Sequence, residues 1–264
     1  MKAFDFEFDG KRLSEFGMIL CKFDSSGLDT ISDGSEITFN TISTQNGIKS
    51  ELVSSVYENN LETTLQICKH SCNGGIQEIT ATEHSQLTRW LNRKCFLKLK
   101  ILDEDHIDLY YEALINVSKI ELDGRLIGLE LSVFTNRPHA LKEKRIIKIE
   151  NTEQNGKHSI NDISHEEGYI YPHTQITVSE DGNLNIYNDI ENRNTYIANC
   201  KSGEVITMDY PVISSSDSSH NIQNDFNWNF FRVSNTFENS RNDLTISLPC
   251  FIKIEYSPIV KVGL

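Results

Sequence analysis

Long apolar runs are missing from this chain of 264 residues, and no segment approaches the ~18 consecutive apolar residues of a membrane span. The opening Met1-Lys2-Ala3-Phe4-Asp5-Phe6-Glu7 alternates charge with aromatic side chains and lacks the apolar stretch of a signal peptide. The expectation is a soluble protein with no membrane contact, made and kept in the cytoplasm until it joins something larger. Cysteine is sparse as well: six residues (Cys21, Cys68, Cys72, Cys95, Cys200 and Cys250) in a chain this long form no disulfide framework. Most sit in strand-like apolar runs, where a thiol serves as a small buried hydrophobe. Cys68 and Cys72, with His70 between them, could be half a zinc site, but no second pair at ligand spacing follows, and no metal is expected.

Positive charge is also in short supply. The net charge is −13, with residues 1–150 at −5 and residues 151–264 at −8, so neither half has the basic footprint of a nucleic-acid binder. The one basic run, from Arg137 to Lys148, reads as a solvated connector or as a contact for an acidic neighbouring subunit. Motifs of chemistry are absent: there is no phosphate-cradling glycine loop, no Gly-x-Ser-x-Gly elbow and no His-Glu-x-x-His helix. A glycosidase carboxylate pair is invisible in a chain with 38 acidic residues. The expectation is no enzyme, no catalytic residue and no cofactor.

What the chain does have is β-structure. Phe4, Phe6 and Phe8 alternate with Asp5, Glu7 and Asp9 until Asp9-Gly10 turns the chain, and the run Phe16 to Phe23 is expected to pair back as a hairpin. Further strands are expected at Ile37/Phe39, Leu61 to Ile67, Cys95 to Ile101, Tyr111 to Val117 and Ile127 to Val133. Thr80-Ala81-Thr82-Glu83 has the form of a capping box, followed by a helix with His84, Leu87, Trp90 and Leu91 on one face. Trp90 is expected to be core. The acidic cluster Asp103-Glu104-Asp105-His106 could suggest a cation site, but its place between two strong strands favours an exposed hairpin tip.

From Asn151 to Gly168 apolar residues thin out, as in a linker or surface excursion, which places a domain boundary at 150/151. Beyond it, short strands recur at Ile176/Val178, Leu184/Ile186, Tyr196 to Cys200, Val205 to Met208, Trp228/Phe230, Leu244 to Leu248 and Ile252 to Tyr256. Turn residues between them mark a sandwich. The segment Asn227-Trp228-Asn229-Phe230-Phe231-Arg232 is the nearest thing to a ligand feature, with Trp228, Asn227 and Arg232 as possible sugar or partner contacts. Against that, aromatics of a small sandwich usually fill its interior, so Trp228 is expected to lie buried between the sheets, its loss costing ~3–5 kcal/mol, and no strong sugar binding is expected.

Taken in order, several segments resemble the phage distal tail protein family. They include Phe4-x-Phe6-x-Phe8-Asp9-Gly10-Lys11 followed by Leu13-Ser14-Glu15-Phe16-Gly17-Met18, the strand pair from Tyr57 to Ile67, Arg89-Trp90-Leu91, and Thr135-Asn136-Arg137-Pro138-His139-Ala140. In the second half they include Gly182-Asn183, Ser202-Gly203-Glu204, Asn227-Trp228 and Ile252-Lys253-Ile254-Glu255-Tyr256. The chain departs from the family in the loop before Leu244, where Glu238 to Asn242 stand in place of a glycine.

The resemblance implies a mostly β, two-domain protein. Residues 1–150 would form a β-sandwich or barrel-like ring domain with one helix, and residues 151–264 a galectin-like β-sandwich projecting outward. It further implies a structural virion protein at the phage tail tip, assembled in the host cytoplasm, whose homo-hexameric ring joins the tail tube protein to the tail tip protein. The outer domain would dock receptor-binding or other baseplate proteins. The rivals are a carbohydrate-binding module, favoured if Trp228 is exposed beside polar groups in a concave face, and a tail-associated glycan hydrolase.

Overall fold

The computed structural model describes residues 5–23, 36–44, 47, 49–69, 77–103, 108–236 and 238–262. The protein is mostly β and divides into two compact units, Met1–Leu141 with Val260–Leu264, and Lys142–Ile259.

The first unit contains β1 (Phe6–Phe8), β2 (Lys11–Arg12), β3 (Met18–Cys21), β4 (Ile37–Thr44), β5 (Lys49–Tyr57), β6 (Glu62–Lys69), α1 (Ala81–Leu91), β7 (Leu97–Ile101), β8 (Leu109–Leu122), β9 (Arg125–Thr135) and β10 (Ala140–Lys142). Seven strands run in the order β2-β1-β7-β8-β9-β6-β3. Alternation decides the buried face: Phe6 and Phe8 of β1, Ala113 and Ile115 of β8, and Leu129, Leu131 and Val133 of β9 are all buried in one core. The helix forms where the capping box places it. The Thr80 hydroxyl accepts from the Glu83 backbone N–H while the Glu83 carboxylate accepts from the Thr80 N–H, an arrangement whose loss typically costs ~1 kcal/mol. Leu87, Trp90 and Leu91 lie on its buried side, and Trp90 is core as expected, with Phe16 stacked on it at a centroid distance of 4.4 Å.

The hairpin at the start of the chain is shorter than the pattern suggests. Asp9 and Gly10, both at positive φ, turn β1 into β2 with Phe8 opposite Lys11. The run from Met18 does not pair back on β1. A 3-10 turn at Leu13–Phe16, ended by Gly17 in the left-handed region, redirects the chain. β3 then pairs with β6 at the far edge of the sheet, Met18 opposite Lys69. Gly128 of β9 admits the Phe23 ring, which a Cβ there would meet at 2.4 Å. Strands β7 and β8 pair antiparallel, but Glu104, Asp105 and His106 between them lie outside the described residues.

The second unit contains β11 (Arg145–Asn151), β12 (Gly156–Asn161), β13 (Gly168–Ile170), β14 (His173–Val178), β15 (Gly182–Asn188), β16 (Arg193–Cys200), β17 (Val205–Asp209), β18 (Val212–Ser215), the short helix α2 (Ile222–Asp225), β19 (Val233–Asn235), β20 (Arg241–Ile246) and β21 (Cys250–Tyr256). One sheet has the order β11-β21-β14-β17-β18 and another β12-β20-β15-β16. Residues of both, such as Ile176, Ile206 and Ile252 from the first and Leu184, Ile186 and Leu244 from the second, share one core. This is the packing of a sandwich.

Two sequence expectations shift here. Arg145 to Glu150, placed with the first half, belongs to β11 (Arg145–Asn151), which pairs along its whole length with β21 as an edge strand of the second unit. The polar stretch after Asn151 is no linker, since β12 within it pairs with β20 from Gly156↔Ile246 to Asn161↔Arg241. Only Ile160 marks its buried face among the apolar residues, which is why hydrophobic density does not reveal it. Asn151 is itself buried, and its amide donates to the carbonyls of Glu153 and Leu248 at 2.8 and 2.7 Å. Beyond β21, the strand β22 (Ile259–Val260) carries Val260 into the core of the first unit.

Candidate functional site

Strands β4 and β5 form a two-stranded ribbon of their own. Thr, Ile, Phe and Val favour extended backbone, and the pairing runs from Ile37↔Tyr57 to Thr44↔Lys49 with one register shift at Asn40/Thr41. Phe39, Ile42, Leu52, Val53 and Val56 are 52 to 64 per cent exposed. Scattered exposed hydrophobes need no explanation, but five on one isolated ribbon do. A two-stranded ribbon is marginal in water by itself, so this one has the character of a surface that a partner covers.

The second candidate is the segment around Trp228. It is not a strand: after the single bridge Ile197↔Phe226 the chain is irregular until β19. Phe226, Phe230 and Phe231 are buried as the pattern suggests, but Trp228 is 56 per cent exposed, which overturns the expectation that it fills the core. The cause is backbone conformation. Trp228 has φ of 59°, a left-handed value unusual for a bulky residue, and this turns the indole away from the side on which its neighbours are buried.

Asn227 holds that turn. Its Oδ1 accepts from the N–H groups of Tyr196 and Asn229 at 3.2 and 3.1 Å, and its Nδ2 donates to the Asn194 carbonyl at 3.0 Å. Its side chain is engaged by the fold, so Asn227 positions Trp228. Arg232 is also engaged: its Nε donates to Glu191 at 2.6 Å and its guanidinium lies 3.8 Å from the Tyr169 ring centroid. Burial acts to lower the Arg232 pKa, and the Glu191 carboxylate and Tyr171 hydroxyl together outweigh it, so the net direction is upward.

Around these residues the structure assembles aromatics that the sequence keeps apart. Tyr169 meets Tyr171 edge-on at 5.5 Å, Tyr171 stacks on Tyr210 at 4.1 Å, Tyr210 meets Phe230 at 5.4 Å, and Phe230 meets Trp228 at 6.4 Å. Tyr169, Tyr210 and Trp228 are each more than half exposed. Tyr169 and Tyr210 were missed from sequence because they lie 59 and 18 residues before Trp228; only the sheet topology joins them.

No group of three or more His, Cys, Asp or Glu side chains suited to a metal occurs among the described residues. His70 and Cys72 of the half zinc site lie outside them. Cys68 adjoins Cys21, whose thiol burial pushes up to about 12. In the second unit a buried cluster joins His220 Nδ1 to Glu204 at 2.6 Å, with Asp225 3.2 Å from Nε2, while the Ser215 hydroxyl donates to Glu204. Its serine bonds the carboxylate and not the imidazole, so the cluster ties α2 to β18 and has no activated nucleophile.

Residues 1–137 match the sequence family described as phage tail protein N-terminal domain, and residues 139–256 match the phage tail C-terminal domain. No curated protein matches the chain in sequence. Among solved structures, the fold is similar to that of the Dit (gp 19.1) protein of phage SPP1, described as a paradigm of the hub adsorption apparatus in phages infecting Gram-positive hosts. The likeness has a TM-score of 0.67 at 9 per cent identity, over 97 per cent of this chain and 99 per cent of that one.

Proposed function

The chain belongs to the family of phage tail proteins built from these two domains, and on that premise we propose that it is a structural, non-enzymatic hub of the tail tip, present in the virion. Six copies form a ring that joins the tail tube protein to the tail tip protein, and the second unit carries receptor-binding or other baseplate proteins. The observation that carries this reading is the β4–β5 ribbon. Its exposed Phe39, Leu52 and Val53 give the first unit an arm that adds to a neighbouring copy. The ring's contacts are then heterologous, each arm meeting a different face of the next subunit, as closure by rotation requires.

The likeness to the SPP1 hub protein over nearly the full length of both chains supports the same reading at the level of fold. Negative-stain images of the purified full chain test it. Closed rings with six-fold averages are expected; single particles the size of one chain, or open filaments, contradict it.

A further inference from the structure

We propose that the aromatic strip of the second unit, running from Tyr169 through Tyr171, Tyr210 and Phe230 to Trp228, is a binding site for an uncharged glycan. This goes beyond the assembly role and does not depend on it.

The first argument is presentation. Trp228 sits in a backbone conformation that glycine or asparagine adopts more easily, and Asn227 fixes it there with three hydrogen bonds. Folding alone would be served better by a smaller residue at this position. The indole is instead held in solvent by a buried floor of Phe226 and Phe230, with ring centroids 5.8 and 6.4 Å away. A rigidly held ring loses little freedom when a ligand stacks on it.

The second argument is the chemistry of the rings. A sugar has C–H faces that pack on the negative face of an aromatic ring, and a rim of hydroxyls that needs donors and acceptors. Tyr169, Tyr210 and Trp228 are each more than half exposed, with Arg232 over one face of Tyr169 and Tyr171 over one face of Tyr210, and each carries a polar edge, a phenol hydroxyl or an indole N–H. Exposed rings at intervals along one strip suit a chain of sugar rings better than a single small ligand.

Charge decides which sugars. The ionic groups on the strip, Arg232 and Glu191, neutralise each other at 2.6 Å. The unit from Lys142 to Ile259 holds ten basic and seventeen acidic residues, net −7, and so repels anionic polymers. The strip therefore fits neutral oligosaccharides and not sulfated, phosphorylated or sialylated ones.

The test uses the full-length protein on an array of short neutral oligosaccharides printed beside anionic counterparts, followed by fluorescence titration with the best soluble hit. Two variants accompany it: Trp228→Asn, which suits the left-handed backbone, and Tyr210→Ala. The expected result is binding of a neutral oligosaccharide with a blue shift of the Trp228 emission. Trp228→Asn should weaken binding at least tenfold and Tyr210→Ala several-fold, with thermal midpoints unchanged. No neutral hit, binding confined to anionic probes, or binding that both variants retain overturns the proposal. A strip whose variants lose only a tail protein, in a wild type that binds no sugar, overturns it equally and makes the strip a protein-docking surface.

Discussion

The indole nitrogen of Trp90, on α1, donates a 2.9 Å hydrogen bond to the main-chain carbonyl of Phe8, on β1. Phe6 and Phe16 stack on the same ring at 5.8 and 4.4 Å, so one side chain fastens the helix to the start of the sheet. Trp90→Ala should cost ~3–5 kcal/mol, the range for large aromatic deletions in cores. Trp90→Phe should cost less, about 1–3 kcal/mol, because it keeps an aromatic ring in place and removes the indole N–H that donates to the Phe8 carbonyl. Urea denaturation of both variants gives the comparison, and a Trp90→Phe variant as stable as the wild type would mean that the hydrogen bond contributes nothing.

The other tryptophan should behave in the opposite way. Trp228→Gly removes an exposed ring from a left-handed position, so relief of backbone strain offsets lost packing and the stability change should stay within about 1 kcal/mol. A loss above ~3 kcal/mol in the same denaturation experiment would restore Trp228 to the core.

These two residues show what the sequence makes legible. Trp90 follows a capping box and falls on a helical stripe with Leu87 and Leu91, so its burial can be read from spacing alone. Trp228 lies among Phe226, Phe230 and Phe231, and composition makes all four look alike. Its exposure depends on one backbone dihedral fixed by Asn227 through contacts with Asn194 and Tyr196, about thirty residues away. The same non-local logic hides the pairing of β3 with β6, and the strand β12, whose register comes from β20 and not from its own hydrophobicity. The β4–β5 ribbon was half visible: Ile37 and Phe39 read as a strand, but exposure on both of its strands can be seen only once the rest of the sheet is in place.

Acid should weaken the start of the helix. The Glu83 carboxylate lies 2.7 Å from the Lys69 ammonium and also accepts from Thr80, and these contacts lower its pKa to about 2, with Lys69 the largest cause. A carboxylate whose folded pKa is depressed contributes stability that is complete above its unfolded value of about 4.5. That stability is lost as pH falls toward 2. Glu83→Gln should therefore lower stability at neutral pH and flatten its decline between pH ~4.5 and ~2. A decline as steep as the wild type's would place the acid sensitivity elsewhere.

The division of the chain can be tested by where it is cut. Ile149 of β11 belongs to the second unit's core, and the strand pairs with β21 over seven residues. We place the boundary after Leu141, so a fragment starting at Lys142 should fold cooperatively as a monomer. One starting at Asn151 lacks β11, uncovers the edge of β21 and should aggregate or unfold. Thermal melts and light scattering separate these outcomes; two equally stable fragments would show that β11 adds nothing to the fold.

The assembly reading rests on the arm, and the mass of the full-length protein in solution tests it most directly. Light scattering should give six copies of the 30.2 kDa chain, roughly 180 kDa in all, as a closed ring demands. With Phe39 and Leu52 both changed to Ser, the mass should fall to that of one chain while the melt of the monomer stays cooperative. A wild type that remains a monomer at every concentration, or a double variant that keeps the full assembly mass, would contradict the account.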